Sequence, residues 1–412
     1  SPRPLDEDPD HHLPTETSGG TVKARTLALP GTPLKTEPGW EVSEELREAV
    51  WRFAGKTSKA ALEIQKADEN TLYSPVSLYY ALGMLEAGTG GETKTRLRDF
   101  MEVSLDLPLG PEFQKLYARM THEDEFAAEQ TANSVWIKDS LVSERSVEQD
   151  WLDQLSEHFY ASAFAVDFSD PQTAKDMSAW VEKETKGKIK PEMDLSDPLL
   201  LMVLMNTVYF QAEWVEGFEK NEVVTDRFFA QAGPVQVPYL TRYIMGYQGI
   251  RNDRYAAASL PLKRGQIDFI LPAEGLDPAE LLADPDFLFK LWTAEREEFD
   301  LDFKIPKFKY ETKTDLLNAL EEFGLGDLLG FDADFSGIYD GDIAVSAISQ
   351  ETFIALDEKG VEAAAMTDMR LPGSAAPVPR EVLELHLDRP FLFVISDPAG
   401  VPLFVGIVRN PA

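Results

Sequence analysis

The chain has 412 residues, with 72 Asp and Glu against 39 Lys and Arg, and therefore a formal net charge of −33. This excess of carboxylates excludes nucleic acid, an anionic membrane surface and a polyanion such as heparin as expected partners, because each requires clustered Lys and Arg. The absence of cysteine excludes disulfides, thiolate metal sites and a cysteine nucleophile. With 43% apolar and 27% charged residues, the composition is that of a folded globular protein.

The length predicts two or three domains, or one large fold. No apolar run reaches the roughly 18 residues of a membrane-spanning helix. The first residue is Ser1 rather than methionine, which is compatible with a leader removed upstream and hence with a secreted or extracellular protein. A chain shortened for another reason would begin in the same way.

The amino-terminal third of the chain is predicted to be an extension followed by helices. Residues 1–39 are rich in Pro, Thr, Gly and Asp and lack periodicity, which predicts a mobile extension before a folded part at residues 40–412. Apolar residues then recur at helical spacing from Val42 to Ala54. A second apolar helix begins after Ser74, which is placed to cap it, with Pro75 at the first helical position.

Strands become frequent after about residue 130. Residues 199–210 are apolar at nearly every position, which is typical of a strand buried on both faces. Alternation or short apolar runs predict further strands at residues 132–137, 227–229, 235–237, 255–260, 266–271, 300–308, 383–387, 391–396 and 403–408. Helices are predicted at residues 150–160, 170–185 and 314–323. Because helices cluster early and strands late, the pattern indicates an α+β fold.

No common catalytic or metal-binding pattern is found. The five histidines have no helix-ligand spacing, so neither a metal site nor a histidine-dependent nucleophile is expected: they are His11, His12, His122, His158 and His386. The glycine-rich run that begins at Gly88 lacks the Gly-Lys-Ser/Thr of a phosphate loop and is interpreted as a helix-terminating turn. Asp332 and Asp334 resemble the start of a calcium loop, but Ile343 stands where the bidentate Glu belongs. We therefore expect no cofactor and no enzymatic activity.

The most informative stretch runs from residue 357 to residue 367. Read as a strand, it places Val361, Ala363, Ala365 and Thr367 on one small and mostly apolar face and Glu362 on the other. An Ala-rich helix at residues 361–366 is the alternative, and local sequence does not decide between them. A loop with several prolines follows, which cannot be an interior strand as a whole. A loop or helix patterned as a buried strand indicates two conformational states.

Four separated blocks carry a family resemblance. They are residues 74–77 with Gly88 and Thr89; residues 206–210 with Trp214 and Phe218; residues 358–365; and the tail at residues 388–393 with 403–411. In this order they resemble the serpin family, the serine protease inhibitors of the suicide-substrate type. The resemblance implies one α+β domain over residues 40–412, with about nine helices, three β-sheets and an exposed reactive loop at about residues 358–382.

The resemblance also implies roles for individual residues. It makes a hinge, able to enter the main sheet as an extra strand, of Gly360, Val361, Glu362, Ala363, Ala364, Ala365, Met366 and Thr367. It makes Glu358 and Lys307 a salt-bridged pair at the top of the sheet with Trp214 beside it, a site called the breach. A hydrogen-bonded cluster at the opening point, the shutter, is implied for Ser74, Ser77, Asn206 and Gln350. The family usually has His at the position of Gln350, so a pH-sensitive member is lost.

The implied function is inhibition of a serine protease through a covalent acyl complex. The protease attacks the loop, the cut hinge inserts into the sheet, and the displaced enzyme is distorted before it can complete hydrolysis. A monomer without metal or cofactor suffices for this. The alternative is a non-inhibitory binding or carrier protein with the same fold; a hydrolase with an unrecognised site is a third reading.

The family's count of seventeen residues from Glu358 places the reactive bond between Ser374 and Ala375. Because the loop is longer than usual, the bond between Ala375 and Ala376 is the alternative. Small and apolar neighbours favour elastase-like or subtilisin-like proteases. Arg370 would attract trypsin, but a cut there leaves a strand too short to carry the protease across the molecule.

Overall fold

The computed structural model describes residues 24–33, 40–66, 68–361 and 379–412. These residues form two hydrogen-bonded sheet networks with helices packed against them. Within these residues the α-helices are α1 (Glu44–Glu63), α2 (Pro75–Glu86), α3 (Gly91–Phe100), α4 (Leu109–Met120), α5 (Asp139–Glu144), α6 (Gln149–Glu157), α7 (Pro171–Glu184), α8 (Pro278–Leu281), α9 (Phe287–Thr293), α10 (Leu317–Leu320) and α11 (Leu325–Leu328).

The strands divide between a large sheet and a second network. Those of the large sheet are β1 (Arg25–Ala28), β3 (His122–Glu123), β4 (Ala127–Lys138), β5 (Ser162–Val166), β6 (Met202–Glu213), β12 (Phe308–Asp315), β13 (Val345–Leu356) and β14 (Gly360–Val361). Those of the second network are β2 (Thr71–Tyr73), β7 (Val223–Ala230), β8 (Gly233–Arg251), β9 (Tyr255–Pro261), β10 (Gln266–Pro272), β11 (Glu297–Pro306), β15 (Val382–His386), β16 (Phe391–Ser396) and β17 (Pro402–Val408).

The large sheet has the strand order β1-β5-β4-β6-β14-β13-β12, with β3 paired to β4 and a direct pairing of β6 with β13. The second network has the order β15-β11-β8-β9-β10-β16-β17-β2, with β7 paired to β8. Strand β8 is 19 residues long and continuous, so it joins what would otherwise be two separate sheets. The fold class implied by the resemblance is confirmed, with eleven α-helices in the described residues where about nine were expected.

The large sheet is buried on both faces. Helix α2, in which all twelve residues are buried, lies against one face and contributes to the main hydrophobic core. A second apolar cluster, which includes Trp136 of β4, Val203 of β6 and Trp180 of α7, covers the other face. This arrangement explains the apolar run at residues 199–210, because a strand covered on both sides has no polar face. The predicted cap and proline of α2 are also present, with Ser74 as the N-cap.

Two further sequence expectations differ from the structure. Part of the predicted mobile extension, residues 24–33, is ordered: β1 pairs with β5, and Gly31 N–H donates to Ser156 O at 2.9 Å. The remaining extension, residues 1–23 and 34–39, lies outside the described residues. The helix predicted from residue 314 begins later, at Leu317, because Thr314 and Asp315 still pair with β13. Tertiary strand pairing overrides the helical pattern there.

Candidate functional site between strands β6 and β13

Strands β6 and β13 are paired along only part of their length. Their parallel ladder runs from Met202 opposite Val345 to Thr207 opposite Glu351. Beyond it, residues 208–211 and 352–355 have no ladder partner on the facing side in the part of the chain that the structure describes. At the carboxyl ends of the two strands, β14 lies between them. The large sheet is therefore closed at one end and split at the other.

The first two residues of the predicted hinge form β14. Val361 lies opposite Leu356 of β13 and Ala212 of β6, antiparallel to both, and is only 2% exposed. Burial of a valine side chain contributes about 1.5–3 kcal/mol. Gly360 fits because it lacks a Cβ, which would lie 2.2 Å from the carbonyl oxygen of Ala212. The other predicted hinge and reactive-bond residues lie outside the described residues: Glu362, Ala363, Ala364, Ala365, Met366, Thr367, Ser374, Ala375 and Ala376.

A tight turn at residues 357–359 directs the chain from β13 back between the strands. The Asp357 carboxylate accepts hydrogen bonds from the N–H groups of Lys359 (2.8 Å) and Gly360 (3.3 Å). Trp214 holds the turn from outside: its indole Nε1–H donates to Asp357 O, and its backbone N–H donates to Lys359 O, both at 2.9 Å. Phe218 N–H donates to Glu358 O at 2.8 Å. The turn is thus anchored at three successive carbonyl groups.

The two charged residues predicted for the breach lie in contact at this turn. Lys307 Nζ is 2.7 Å from Glu358 Oε2, with side chains 30% and 38% exposed. The hydrogen bond from Lys307 is the main reason that the pKa of Glu358 is lowered. Because the pair is partly in water, it serves to orient the turn more than to stabilise the fold.

The predicted shutter residues Ser74 and Gln350 are joined by two hydrogen bonds. Gln350 Oε1 accepts from Ser74 N–H at 2.8 Å, and Gln350 Nε2 donates to Ser74 O at 2.9 Å. Ser74 Oγ in turn accepts from Ser77 N–H at 3.4 Å as the cap of α2. All three residues are buried. Glutamine satisfies this geometry because its amide both donates and accepts.

The fourth predicted shutter residue, Asn206, lies opposite Gln350 in the β6–β13 ladder. Its side chain forms a hydrogen bond with strand β4 on its other side. Its Nδ2 donates to the side-chain oxygen of Asn133, its neighbour on β4. Asn133 was not predicted as a site residue. The only signal in the sequence was its place in a predicted strand, beside another polar residue. A line of buried amides at Asn133, Asn206 and Gln350 therefore crosses the sheet at its point of division.

Glu351 was also not predicted as a site residue, because the sequence contains so many carboxylates that no single one is distinctive. It is opposite Thr207 in the last direct pair of β6 and β13, with a side chain only 3% exposed. Lys313 Nζ is 3.7 Å away, and Glu351 Oε1 is buried without a hydrogen-bond partner in the described part of the chain. Burial raises the pKa of Glu351 to about 7, and Lys313 offsets this only in part.

Other chemistry is not apparent in the described residues. They contain no group of three or more His, Asp or Glu side chains that could hold a metal ion. Asp334 accepts from the N–H and Oγ of Ser336, a local turn rather than an ion site. No helix of the described residues is long and apolar enough to cross a membrane.

Comparisons with known proteins agree with this geometry. Residues 48–411 match the family model described as Serpin (serine protease inhibitor). The plasma serine protease inhibitor of Mus musculus is 30% identical over 365 residues, covering 85% of this chain and 87% of the relative. Among solved structures, the thermophilic serpin tengpin in its native state has a TM-score of 0.79 and 26% identity, covering 94% of this chain and 100% of tengpin. Human thyroxine-binding globulin, complexed with its hormone, has a TM-score of 0.76 at 22% identity, covering 89% and 100%, a likeness of fold alone.

Proposed function

This chain belongs to the serpin family, which is described as serine protease inhibitors, and we propose that it inhibits serine proteases as a suicide substrate. The protease cuts the reactive loop and remains joined to it as an acyl-enzyme. The freed hinge then inserts between β6 and β13 and draws the enzyme away from the loop before water completes hydrolysis. The chain supplies no catalytic group; the attacking serine belongs to the protease.

The single observation that supports this most is the position of β14. Gly360 and Val361 already lie between β6 and β13, antiparallel to both, and the next four residues of each strand have no facing partner among the described residues. A strand that continues from Val361 would therefore have these open stretches of β6 and β13 available for pairing on its two sides. Small hinge residues at alternate positions suit the buried side of that strand.

Insertion is favourable because the added strand has a neighbour on each side, so that its successive residues can form ladder hydrogen bonds alternately with β6 and β13. Net contributions of about 1 kcal/mol per ladder hydrogen bond, added to apolar burial, give a large driving force for a full strand. The direct β6–β13 ladder between Thr207 and Met202 must separate for this to happen. Asn206 and Gln350 lie on that ladder, so the amide cluster they belong to is placed to control the separation.

The target is proposed from the loop sequence. The bond between Ser374 and Ala375, or that between Ala375 and Ala376, has only small or apolar neighbours, which suits elastase-like and subtilisin-like proteases. The inhibitor is proposed to act as a secreted monomer through a covalent complex, without heparin, since its net charge of −33 opposes polyanions.

The test is incubation with an elastase-like protease, a subtilisin-like protease and trypsin in turn, followed by denaturing electrophoresis and sequencing of the new amino terminus. A detergent-resistant complex with the first two, and a new terminus at Ala375 or Ala376, is the expected result. Trypsin should cut after Arg370 and leave no complex. A complex with trypsin joined through Arg370, and none with the others, would overturn the target assignment.

The alternative is a non-inhibitory carrier or binding protein with this fold, as thyroxine-binding globulin is a hormone-binding protein. The melting temperature separates the two readings. Cleavage within the loop should raise it sharply if the hinge inserts, whereas an equal melting temperature before and after cleavage would exclude the proposed mechanism. Absence of peptide or ester hydrolysis by the purified chain would exclude the hydrolase reading.

A further inference from the structure

A buried ion pair joins the large sheet to the second network at the divided end of the sheet. Arg264, in the turn between β9 and β10, binds the carboxylate of Glu129 on β4 through its Nε–H, and the same guanidinium donates to the backbone oxygen of Arg119. The side chains of Arg264 and Glu129 are 11% and 0% exposed. Glu129 lies opposite Phe210, in the open stretch of β6 at residues 208–211. The ion pair is therefore one strand away from the gap between β6 and β13.

A second carboxyl group, that of Asp397 in the turn between β16 and β17, is buried beside Glu129. Asp397 is 4% exposed, and the two side chains are close enough for a hydrogen bond between them once one carries a proton. Glu129 Oε1 and Asp397 Oδ2 are both buried, and neither has a hydrogen-bond donor among the described residues. Because one proton between two acceptors satisfies both of them, the geometry favours a proton shared by the pair.

The charges of the cluster balance only while it keeps a proton. Burial is the main reason that the pKa of both carboxyl groups is raised, that of Asp397 to about 6, and Arg264 offsets this only in part. One guanidinium balances one carboxylate. Loss of the shared proton therefore leaves a second, unbalanced negative charge in the protein interior, which is unfavourable.

The titratable groups on the surrounding elements supply no second positive charge to the pair. They are Tyr80 of α2, Tyr117 of α4, Tyr160 after α6, His122 of β3 and Arg47 of α1. The phenol of a tyrosine is uncharged near neutral pH, and burial raises the pKa of Tyr80 further. His122 binds Asp124 at 2.9 Å. Within the described part of the chain, Arg47 forms no hydrogen bond or ion pair with either carboxyl group.

The cluster connects parts of the molecule that the proposed insertion would move relative to each other. β4 pairs with β6 over eleven residues, so the two strands would move together. β13 is fixed through β12, where two side-chain hydroxyl groups donate to carbonyl groups of β2. An inserted strand widens the sheet by about 4.8 Å, which would draw Glu129 away from Arg264. The same turn also holds the end of β6, since Lys263 Nζ is 2.9 Å from Glu213 Oε2.

We propose that Arg264, Glu129 and Asp397 form a latch that holds β4 and β6 to the second network, slows the opening of the large sheet and releases as the pH rises. The inference rests on the proposed function, which requires the sheet to open. The closed sheet holds the proton of Asp397 more tightly than an open or unfolded chain does. The resulting stabilisation of the closed sheet is complete below about pH 4 and is lost as the pH rises through about 6.

Asp397→Asn tests the shared proton. The asparagine Nδ2–H can donate to Glu129 Oε1 at every pH, while Arg264 still balances the charge of Glu129. Amide hydrogen exchange at residues 127–131 and 208–213, corrected for the intrinsic effect of pH, measures the opening of the sheet without a protease. From pH 5 to pH 8 the equilibrium constant for opening should rise about tenfold in the parent protein, since one pKa unit corresponds to a factor of ten. Most of this rise should disappear in Asp397→Asn.

The comparison needs a fixed background and a matched control. All samples carry Glu351→Gln, because Glu351 titrates in the same range. The control is Asp253→Asn, which neutralises an exposed carboxylate in another turn of the second network and should behave as the parent. Arg264→Gln should open about tenfold more readily at both pH values. A dependence on pH in Asp397→Asn equal to that of the control would overturn the inference, whether or not Arg264→Gln folds.

Trapping of an elastase-like protease separates this inference from the proposed function. If the variants differ in hydrogen exchange as expected but no sample forms a covalent complex, the proposed function fails and the latch stands. If complexes form normally and exchange is equal in all samples, the latch alone is excluded. Where both hold, Asp397→Asn should lose its trapping capacity on warming at pH 8 about tenfold more slowly than the parent.

Discussion

The indole N–H of Trp214 donates a hydrogen bond of 2.9 Å to the backbone carbonyl of Asp357, a residue 143 positions away in the chain. Trp214 follows the end of β6, and Asp357 follows the end of β13. The bond therefore ties together the ends of the two strands that the proposed insertion of the hinge would separate. It lies on the outer side of the turn from which Gly360 and Val361 enter the sheet.

Trp214→Phe should loosen this turn. The variant loses one partly buried hydrogen bond and part of the packing of a side chain that is 3% exposed, and we expect the free energy of unfolding to fall by about 2 kcal/mol. Urea denaturation measures this. Faster proteolysis of the loop should accompany it; unchanged stability with unchanged proteolysis would show that Trp214 does not anchor the turn.

Gly360→Ala should expel the first hinge residues from the sheet. The added Cβ would lie 2.2 Å from Ala212 O and 2.6 Å from Glu213 Cα, which are backbone atoms that cannot move aside independently. The buried contacts of Val361 would be lost, and unfolding should require about 2 kcal/mol less. The matched control is Gly217→Ala, where the nearest atom, Glu358 O, is 3.5 Å away. Equal hydrogen exchange at residues 208–213 in both variants would contradict this account.

Val361→Arg and Ala363→Pro should convert the inhibitor into a substrate. Arginine would bring an unpaired charge between β6 and β13, and proline would remove a ladder donor from the inserting strand. The number of inhibitor molecules cleaved per protease trapped should rise steeply in both. Val215→Arg, at a side chain that is 53% exposed, is the control and should inhibit normally. Full inhibition by both hinge variants would exclude insertion as the mechanism.

Gln350→Ala should weaken the closed sheet at its point of division. It leaves the buried N–H of Ser74 without its acceptor, at a cost of about 1–3 kcal/mol. Thermal unfolding should occur at a lower temperature, and spontaneous insertion of the uncut loop, seen as loss of inhibitory activity on warming, should become faster. Gln248→Ala, on an exposed side chain, provides the comparison. A stability equal to that of the control would assign no role to the pair of bonds with Ser74.

The stability should depend on pH through Glu351. Because burial raises its pKa in the folded state to about 7, the folded protein holds this proton more tightly than the unfolded chain does. The resulting stabilisation is complete below about pH 4.5 and is lost as the pH rises through about 7, an amount of about 3 kcal/mol.

Glu351→Gln removes this dependence. The variant should be about as stable as the wild type at pH 4 and more stable at pH 8, where the wild type buries a charge. Asp397, whose pKa burial raises to about 6, titrates in the same range, so the difference between the two proteins is the quantity to measure. Glu322→Gln, at an exposed position, should show no such difference. A difference independent of pH would show that Glu351 is not the titrating group.

Much of the fold could be predicted from the sequence because local rules and tertiary structure agree. Three examples are the N-cap at Ser74, Pro75 in the first turn of α2 and the apolar run of β6. In each of them the local sequence preference and the tertiary environment favour the same conformation. Prediction failed where pairing between distant segments decides the conformation: Thr314 continues β12 because Gln350 faces it, and residues 25–28 form β1 because β5 offers a free edge.

The candidate site could be predicted only where residue identity is distinctive. Trp214, Lys307, Glu358 and Gln350 were predicted through the family resemblance, and the structure brings the first three to one turn and places Gln350 on the closed ladder. Asn133 and Glu351 were not found, because one amide or one carboxylate among many carries no local signal. Their importance arises from burial and register, which appear only once the strands are paired.

The ladder between β6 and β13 is parallel, whereas β14 is antiparallel to each of them. In the proposed insertion, a strand that continues from Val361 would first pair with the open stretches at residues 208–211 and 352–355. It would then replace the slanted parallel ladder at residues 202–207 and 345–351 with perpendicular antiparallel pairing on both of its sides, which is slightly stronger per residue. The exchange can proceed one residue at a time from Leu356 towards Val345, and each step is harder to reverse than to extend. The direction of chain travel at one short turn would thus favour every step of the proposed transition, so that a molecule that has acted once would not return to its starting conformation.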